Sequence, residues 1–213
     1  METGQITRGS NFGEIIYNLT KRVDVENIVE IGTWCGLGST KCIIDGIIDS
    51  QSIKKTNFIT IELYEDIYNE AKHNLKEYSN YVTILNGGII DYDDIFWFDK
   101  EWFLNEYCKQ TGKIADLYHY NLWWEKDLEN LKKSTNVISQ LPEKIDFLIL
   151  DGGEWSTYPE WCKLRDRTRI IAMDDINFFK CDKIVEELSS DPNWKEVHKV
   201  TSDRNGFGVF ERI

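Results

Sequence analysis

Proline is scarce in this chain. Three prolines and 14 glycines in 213 residues leave little room for a disordered linker. No run approaches the ~18 apolar residues of a membrane span. The opening METGQITRGSNFGEIIYNL lacks the basic start and apolar core of a signal peptide. A membrane partner is therefore not expected, and a cytoplasmic location is. Basic tracts are missing as well. Lys and Arg total 25 against 37 Asp and Glu, a formal net charge of -12. Such a chain is repelled by phosphate backbones, so no nucleic-acid partner is expected, and a neutral or cationic substrate is easier to accommodate. The five cysteines are odd in number and show no metal-site spacing. Cys35, Cys42, Cys162 and Cys181 fall inside apparent strand–helix units and read as buried, reduced thiols. Internal repeats and low-complexity segments are absent from the sequence.

What is present fits a globular chain. It is 41% apolar and 29% charged, but 13% aromatic with eight tryptophans, which is high. The length suits one domain over residues 1–213 with room for an insertion. Periodicity predicts helices over 12–23, 38–49, 65–78 and 181–190. Strands are predicted at 27–31, 57–63, 81–85, 145–150 and 169–175, with a closing hairpin of 194–200 and 206–213 around TSDRN. Short apolar strands alternating with helices imply an α/β fold. Its parallel sheet is buried on both faces, and the terminal hairpin adds an antiparallel edge. In open sheets of this kind ligands sit beyond the carboxyl ends of the strands, so those positions carry the functional expectations.

The rhythm breaks between Ile89 and Glu143, more chain than a plain crossover requires. Residues 92–140 read as an insertion rich in rings, among them Phe96, Trp97, Phe98, Trp102, Phe103, Tyr107, Tyr118, Tyr120, Trp123 and Trp124. Two readings stand: helices that bury those rings on the sheet, or a cap whose rings stack on a flat or sugar-like substrate.

After the first strand comes EIGTWCGLGST, with Glu30, Gly32, Trp34, Gly36, Gly38 and Ser39. Glycines allow a tight turn, and the helix beginning near Gly38 offers free N–H groups. The spacing G-x-x-x-G-x-G is not the G-x-G-x-x-G of nicotinamide sites, and no G-K-[ST] follows as in a phosphate-binding loop. The second strand ends at Glu62, whose carboxylate can accept two hydrogen bonds from a ribose diol.

VEIGTWCGLGST resembles motif I of the class I S-adenosylmethionine-dependent methyltransferases. It is closest to the catechol O-methyltransferase-like branch, with Trp34 at the aromatic position. The resemblance implies a Rossmann-like methyltransferase fold, a seven-stranded and mostly parallel sheet with an antiparallel last strand and helices on both faces. It implies that the 30–38 loop with Ser39 holds the methionine part of the cofactor. Glu62 would bind the ribose, Gly88 and Ile89 of NGGIID would lie beside the adenine, and Asp151 would also touch the cofactor.

LILDGGEWSTY and IIAMDDIN place Asp151, Asp174 and Asp175 at neighbouring strand ends. Three carboxylates together need protonation or a cation, and oxygen-only ligands suit Mg²⁺ or Mn²⁺. A metal there could lower the pKa of a substrate hydroxyl and aim it at a methyl group. The pattern resembles that of metal-dependent O-methyltransferases. LDGGEW is also similar to the D-G-D segment of sugar O-methyltransferases acting on macrolide and aminocoumarin deoxysugars. Gly153 stands where those have their base and Glu154 where the catechol branch has a lysine. Glu154 is the expected general base and Asp151 a catalytic partner, with His119 a rival if the insertion folds over the site. The expected activity is metal-assisted O-methylation of a small-molecule or glycan hydroxyl. Methylation of a catechol or phenol and a non-catalytic cofactor-binding module are the alternatives. The sequence leaves open whether the chain is whole or a domain of a longer protein.

Overall fold

The computed structural model describes residues 5–51, 53–103, 106 and 117–213, with 117–119 as backbone alone. The centre of the molecule is a seven-stranded sheet in the order β3-β2-β1-β4-β5-β7-β6. Its strands are β1 (Asn27–Ile31), β2 (Asn57–Glu62), β3 (Thr83–Asn86), β4 (Ile145–Leu150), β5 (Thr168–Asp174), β6 (Trp194–Val200) and β7 (Phe207–Arg212). The first five pair in parallel, and β7 runs antiparallel between β5 and β6. The closing hairpin forms the antiparallel edge as expected, with β6 outermost. On β6 the exposed charges Lys195, Glu196 and Lys199 discourage pairing with another chain.

The pleat explains the two cores. Val29, Ile31, Ile59, Ile61, Leu148 and Leu150 face one side of the sheet. Ile28, Phe58, Phe147 and Ile149 face the other, where they meet helices α1 (Asn11–Thr20) and α2 (Ser39–Ser50). Successive side chains of a strand point to opposite faces, so apolar residues at every position bury both. Ser10 starts α1, accepting the Gly13 N–H at 3.1 Å, and Phe12, Ile16 and Leu19 form the buried stripe.

Among the described residues the longer helices that follow are α3 (Glu65–Asn74), α4 (Leu117–Lys133), α5 (Thr157–Leu164) and α6 (Phe179–Ser190). The periodicity had not marked α5. It holds Pro159 in its first turn, where a missing N–H costs nothing. α6 begins two residues earlier than expected, which puts Lys180 in its first turn. The described rings of the 92–140 segment divide. Trp97, Phe98, Phe103, Tyr120 and Trp124 pack with Trp155 and Phe179 on the first core face, with Phe98 stacked on Trp155 at 5.4 Å. Phe96, Trp102 and Trp123 are exposed. Tyr107 and the side chains of Tyr118 and His119 lie outside the described residues. Among the described residues no helix is long and apolar enough to cross a membrane.

Register sets up the site. Ile31 lies level with Ile61 of β2 and Leu150 of β4, and Leu150 with Met173 of β5. The residues that follow, Gly32, Glu62, Asp151 and Asp174, therefore leave the sheet side by side.

Candidate functional site

The β1–α2 loop is shaped by close backbone approach. Gly32 has φ +97°, and a Cβ there would stand 2.2 Å from the Asp151 carbonyl oxygen. Its N–H donates to the Ile61 carbonyl at 3.0 Å, and the Asp151 N–H donates to the Ile31 carbonyl at 3.0 Å. Trp34 also has a positive φ, 50°, and its half-exposed ring sits at the mouth of the loop. The Trp34 N–H donates to Glu62 Oε2 at 2.9 Å, and the Tyr64 N–H donates to Oε1 at 3.0 Å. Burial pushes the Glu62 carboxyl up to about 7, against the pull of those two N–H groups.

Glu30 corrects an expectation. It is fully buried beneath the loop, where the Thr40 and Thr60 hydroxyls donate to Oε2 at 2.6 and 2.7 Å. Lying one residue before the strand's end, it shares the face of Ile28 and so points toward α2. Burial holds its carboxyl above the usual range. Its role is to fasten the loop to α2 and β2. Gly36, with φ +78°, packs on Leu75 and likewise does not reach the cavity.

A cavity of about 810 Å³ opens over the carboxyl ends of the strands, within the usual range for small-molecule sites. Gly32, Trp34, Gly38, Ser39 and Glu62 line it on one side, and Gly88 and Ile89 on another. Asp151, Asp174 and Asp175 complete the wall. Glu154, the expected base, is absent from the wall; its charge is felt instead by Lys180 and Cys181.

Several wall residues escaped the sequence reading. Asp127 comes from α4, Glu160 from α5, Tyr64 from the end of β2 and Arg204 from the β6–β7 turn. Tyr64 donates its hydroxyl to Asp127 Oδ1. Burial raises the carboxyls of Asp127, to about 6, and Glu160, to about 8. Spacing along the chain could not announce these groups, because unrelated elements bring them together.

Asp151, Asp174 and Asp175 offer one oxygen each within 4.8 Å of one another, which is the spacing expected of a metal centre. Asp175 takes a left-handed backbone, φ 57°, which turns two consecutive acids toward one region. The cation, however, is already supplied. Lys180 Nζ lies 3.1 Å from Asp175 Oδ2 and 3.4 Å from Asp151 Oδ1, and Arg204 Nη2 lies 3.2 Å from Asp174 Oδ2. Burial raises Asp151 and Asp174. Burial also pushes on Asp175, but Lys180, Asn205 and Arg204 outweigh it and hold that carboxyl below its usual range. With the ammonium in place, these residues do not fit a divalent ion as well.

No protein-family model and no curated protein sequence matches the chain. Solved structures do. An O-methyltransferase from Bacillus cereus in complex with SAH (S-adenosylhomocysteine) superposes with a TM-score of 0.62 at 12% identity, over 100% of this chain and 84% of that one. The SAH-bound methyltransferase of Podospora anserina gives 0.58 at 13% identity, over 94% and 77%. A methyltransferase from Geobacter sulfurreducens gives 0.55 at 11% identity, again over 94% and 77%. The fold is the class I methyltransferase fold.

Proposed function

We propose that this chain is an S-adenosylmethionine-dependent O-methyltransferase acting on a hydroxyl of a sugar-like acceptor. One observation carries the reading. The Gly32–Ser39 loop and the Glu62 carboxylate face a single cavity in a methyltransferase fold, as a ligand with a ribose diol and an amino-acid end requires. In the reaction the acceptor oxygen bonds to the methyl carbon. S-adenosylmethionine, held by the Gly32–Ser39 loop and Glu62, would supply the methyl group and leave as S-adenosylhomocysteine, and a carboxylate of the cavity wall would take the proton of the acceptor hydroxyl. The chain's contribution is alignment of oxygen, carbon and sulfur, and exclusion of water. On this reading α4, the described helix of the 92–140 segment, acts as the cap, since it contributes Asp127 and Leu131 to the wall.

The wall's chemistry favours a polyhydroxylated acceptor over a catechol. Among the described residues its rings are Trp34 and Tyr64, whereas Glu62, Asp127, Asp151, Glu160, Asp174 and Asp175 supply hydrogen-bond acceptors. The rings that were expected to sandwich an aromatic substrate, such as Phe98, Phe103 and Trp124, pack against one another in the core. Metal assistance, the other refinement expected from the sequence, would require Lys180 to leave its place between Asp151 and Asp175.

Calorimetry with S-adenosylhomocysteine followed by a methyl-transfer screen of sugars and catechols tests the reading. The expected outcome is cofactor binding and methylation within the sugar set. Turnover confined to catechols would replace the acceptor class. No cofactor binding would leave a non-catalytic module.

A further inference from the structure

Lys180 is placed against the ordinary preference of its element. It stands in the first turn of α6, at the positive end of the helix dipole, and its side chain is only 5% exposed. A buried ammonium at a helix N-terminus is stable only where anions hold it. Its three N–H groups have three acceptors: Asp175 Oδ2 at 3.1 Å, Asp151 Oδ1 at 3.4 Å and the Gly152 carbonyl at 3.5 Å. An ammonium has three donors, so its valence toward the cluster is filled. Lys180 is absent from the cavity wall while the acids line it, so it meets them from behind. Arg204 does line the cavity. It pairs with Asp174 Oδ2 at 3.2 Å and Asp175 Oδ1 at 3.8 Å from the β6–β7 turn. Each of the three carboxylates thus has a cation of the chain itself.

We infer that Lys180 and Arg204 are the resident cations of this acid cluster, and that they occupy the electrostatic place of a divalent metal in this fold. A Mg²⁺ or Mn²⁺ ion would have to approach the same oxygens to about 2.0–2.2 Å. It would then stand beside a buried ammonium and a guanidinium that share its ligands, and in a poorly solvated site those like charges repel strongly. The methyl transfer proposed above, on which the functional side of this inference rests, then proceeds without an added ion. Lys180 acts as a positioning residue, fixing the Asp151 and Asp175 carboxylates that form the cavity wall.

Titration of the full chain with Mn²⁺, read as loss of the free-ion electron paramagnetic resonance signal, tests this without an acceptor. The expected result is no saturable Mn²⁺ binding by the unaltered protein. Lys180→Met should then show saturable Mn²⁺ binding, at least roughly tenfold tighter than the weakest binding the titration can detect, because Asp151 and Asp175 have lost their buried counter-charge. Arg204→Gln, on the exposed side of the cluster, should move in the same direction and supplies the variant arm if circular dichroism shows that Lys180→Met does not fold. Saturable binding by the unaltered protein that disappears in Asp174→Asn overturns the inference, and so does a folded variant with no gain. Calorimetry with S-adenosylhomocysteine on the same samples reports on the methyl-transfer reading separately. Loss of that binding defeats the reading while leaving the Mn²⁺ result decisive for the resident cations.

Discussion

Glu62 is poised by backbone rather than by side chains. Its oxygens already take the N–H groups of Trp34 and Tyr64, and the carboxylate keeps acceptor capacity for a ligand. Glu62→Gln keeps the shape but turns one acceptor into a donor and removes the charge. Above the value of about 7 to which burial raises this carboxyl, for example at pH 8, the affinity for S-adenosylhomocysteine should fall roughly 10- to 100-fold, as loss of a charge-assisted hydrogen bond does. Calorimetry checks this, and unchanged affinity would remove Glu62 from the ribose site. Gly32→Ala acts differently. The new Cβ would meet the Asp151 carbonyl at 2.2 Å on a backbone with φ +97°. A cost of roughly 2–6 kcal/mol combines backbone strain with overpacking, and is measurable by denaturant unfolding. The cavity-lining place of both residues was legible in the sequence, because a glycine or an acid at the end of an apolar strand has a fixed place in an open sheet. Glu30 was misplaced by a single step of the pleat, which sends it under the loop. Lys180, Arg204, Asp127 and Glu160 were not legible. They sit in helices and a turn, and only tertiary packing carries them to the strand ends.

Among the elements, the strands were read almost to the residue, because apolar runs bounded by polar residues and glycines leave little freedom in where they begin. The 92–140 segment resisted, since ring content alone does not distinguish a ring in the core from one over a ligand. The described part does both jobs with different residues of one helix. α4 buries Tyr120 and Trp124 on the aromatic cluster, and one turn further on it sends Asp127 and Leu131 to the cavity. Phe103 ties this helix to the sheet face. It is 1% exposed and touches the rings of Phe98, Tyr120, Trp155 and Phe179 at 4.7–5.9 Å. Phe103→Ala should cost about 3–5 kcal/mol through lost burial and the void left behind. In a chain of this length the melting temperature drops by about 2–4 °C for each kcal/mol. A thermal melt followed by circular dichroism measures it. A drop within a degree or two would mean that the segment packs independently of the sheet.

At the scale of the molecule, charge ties folding to pH. The cavity gathers carboxyls that burial raises on folding: Asp127 to about 6, Glu62 to about 7 and Glu160 to about 8. In the unfolded chain the same groups titrate near 3.8 and 4.5. A carboxyl raised on folding contributes its stability in full below the unfolded value, and loses it as pH climbs through the folded one. The sum of these groups therefore declines from about pH 4 to about pH 8. Asp175, Asp24 and Glu211 are shifted the other way by their cations, so they contribute above their unfolded values and lose that contribution only in acid. Between these opposing slopes the ligand-free protein should be most stable in mildly acidic solution, with a melting temperature higher at pH 5 than at pH 8. Glu160 is the group to test, because it is buried in α5 and its shift carries furthest toward alkaline pH. Glu160→Gln removes the ionisation while keeping the shape. The variant should melt close to the parent at pH 5 and above it at pH 8, so that the difference between the two proteins grows through the interval from 6 to 8. Parallel curves for the two proteins would show that Glu160 ionises in the folded chain as it does in water, and that the alkaline loss has another origin.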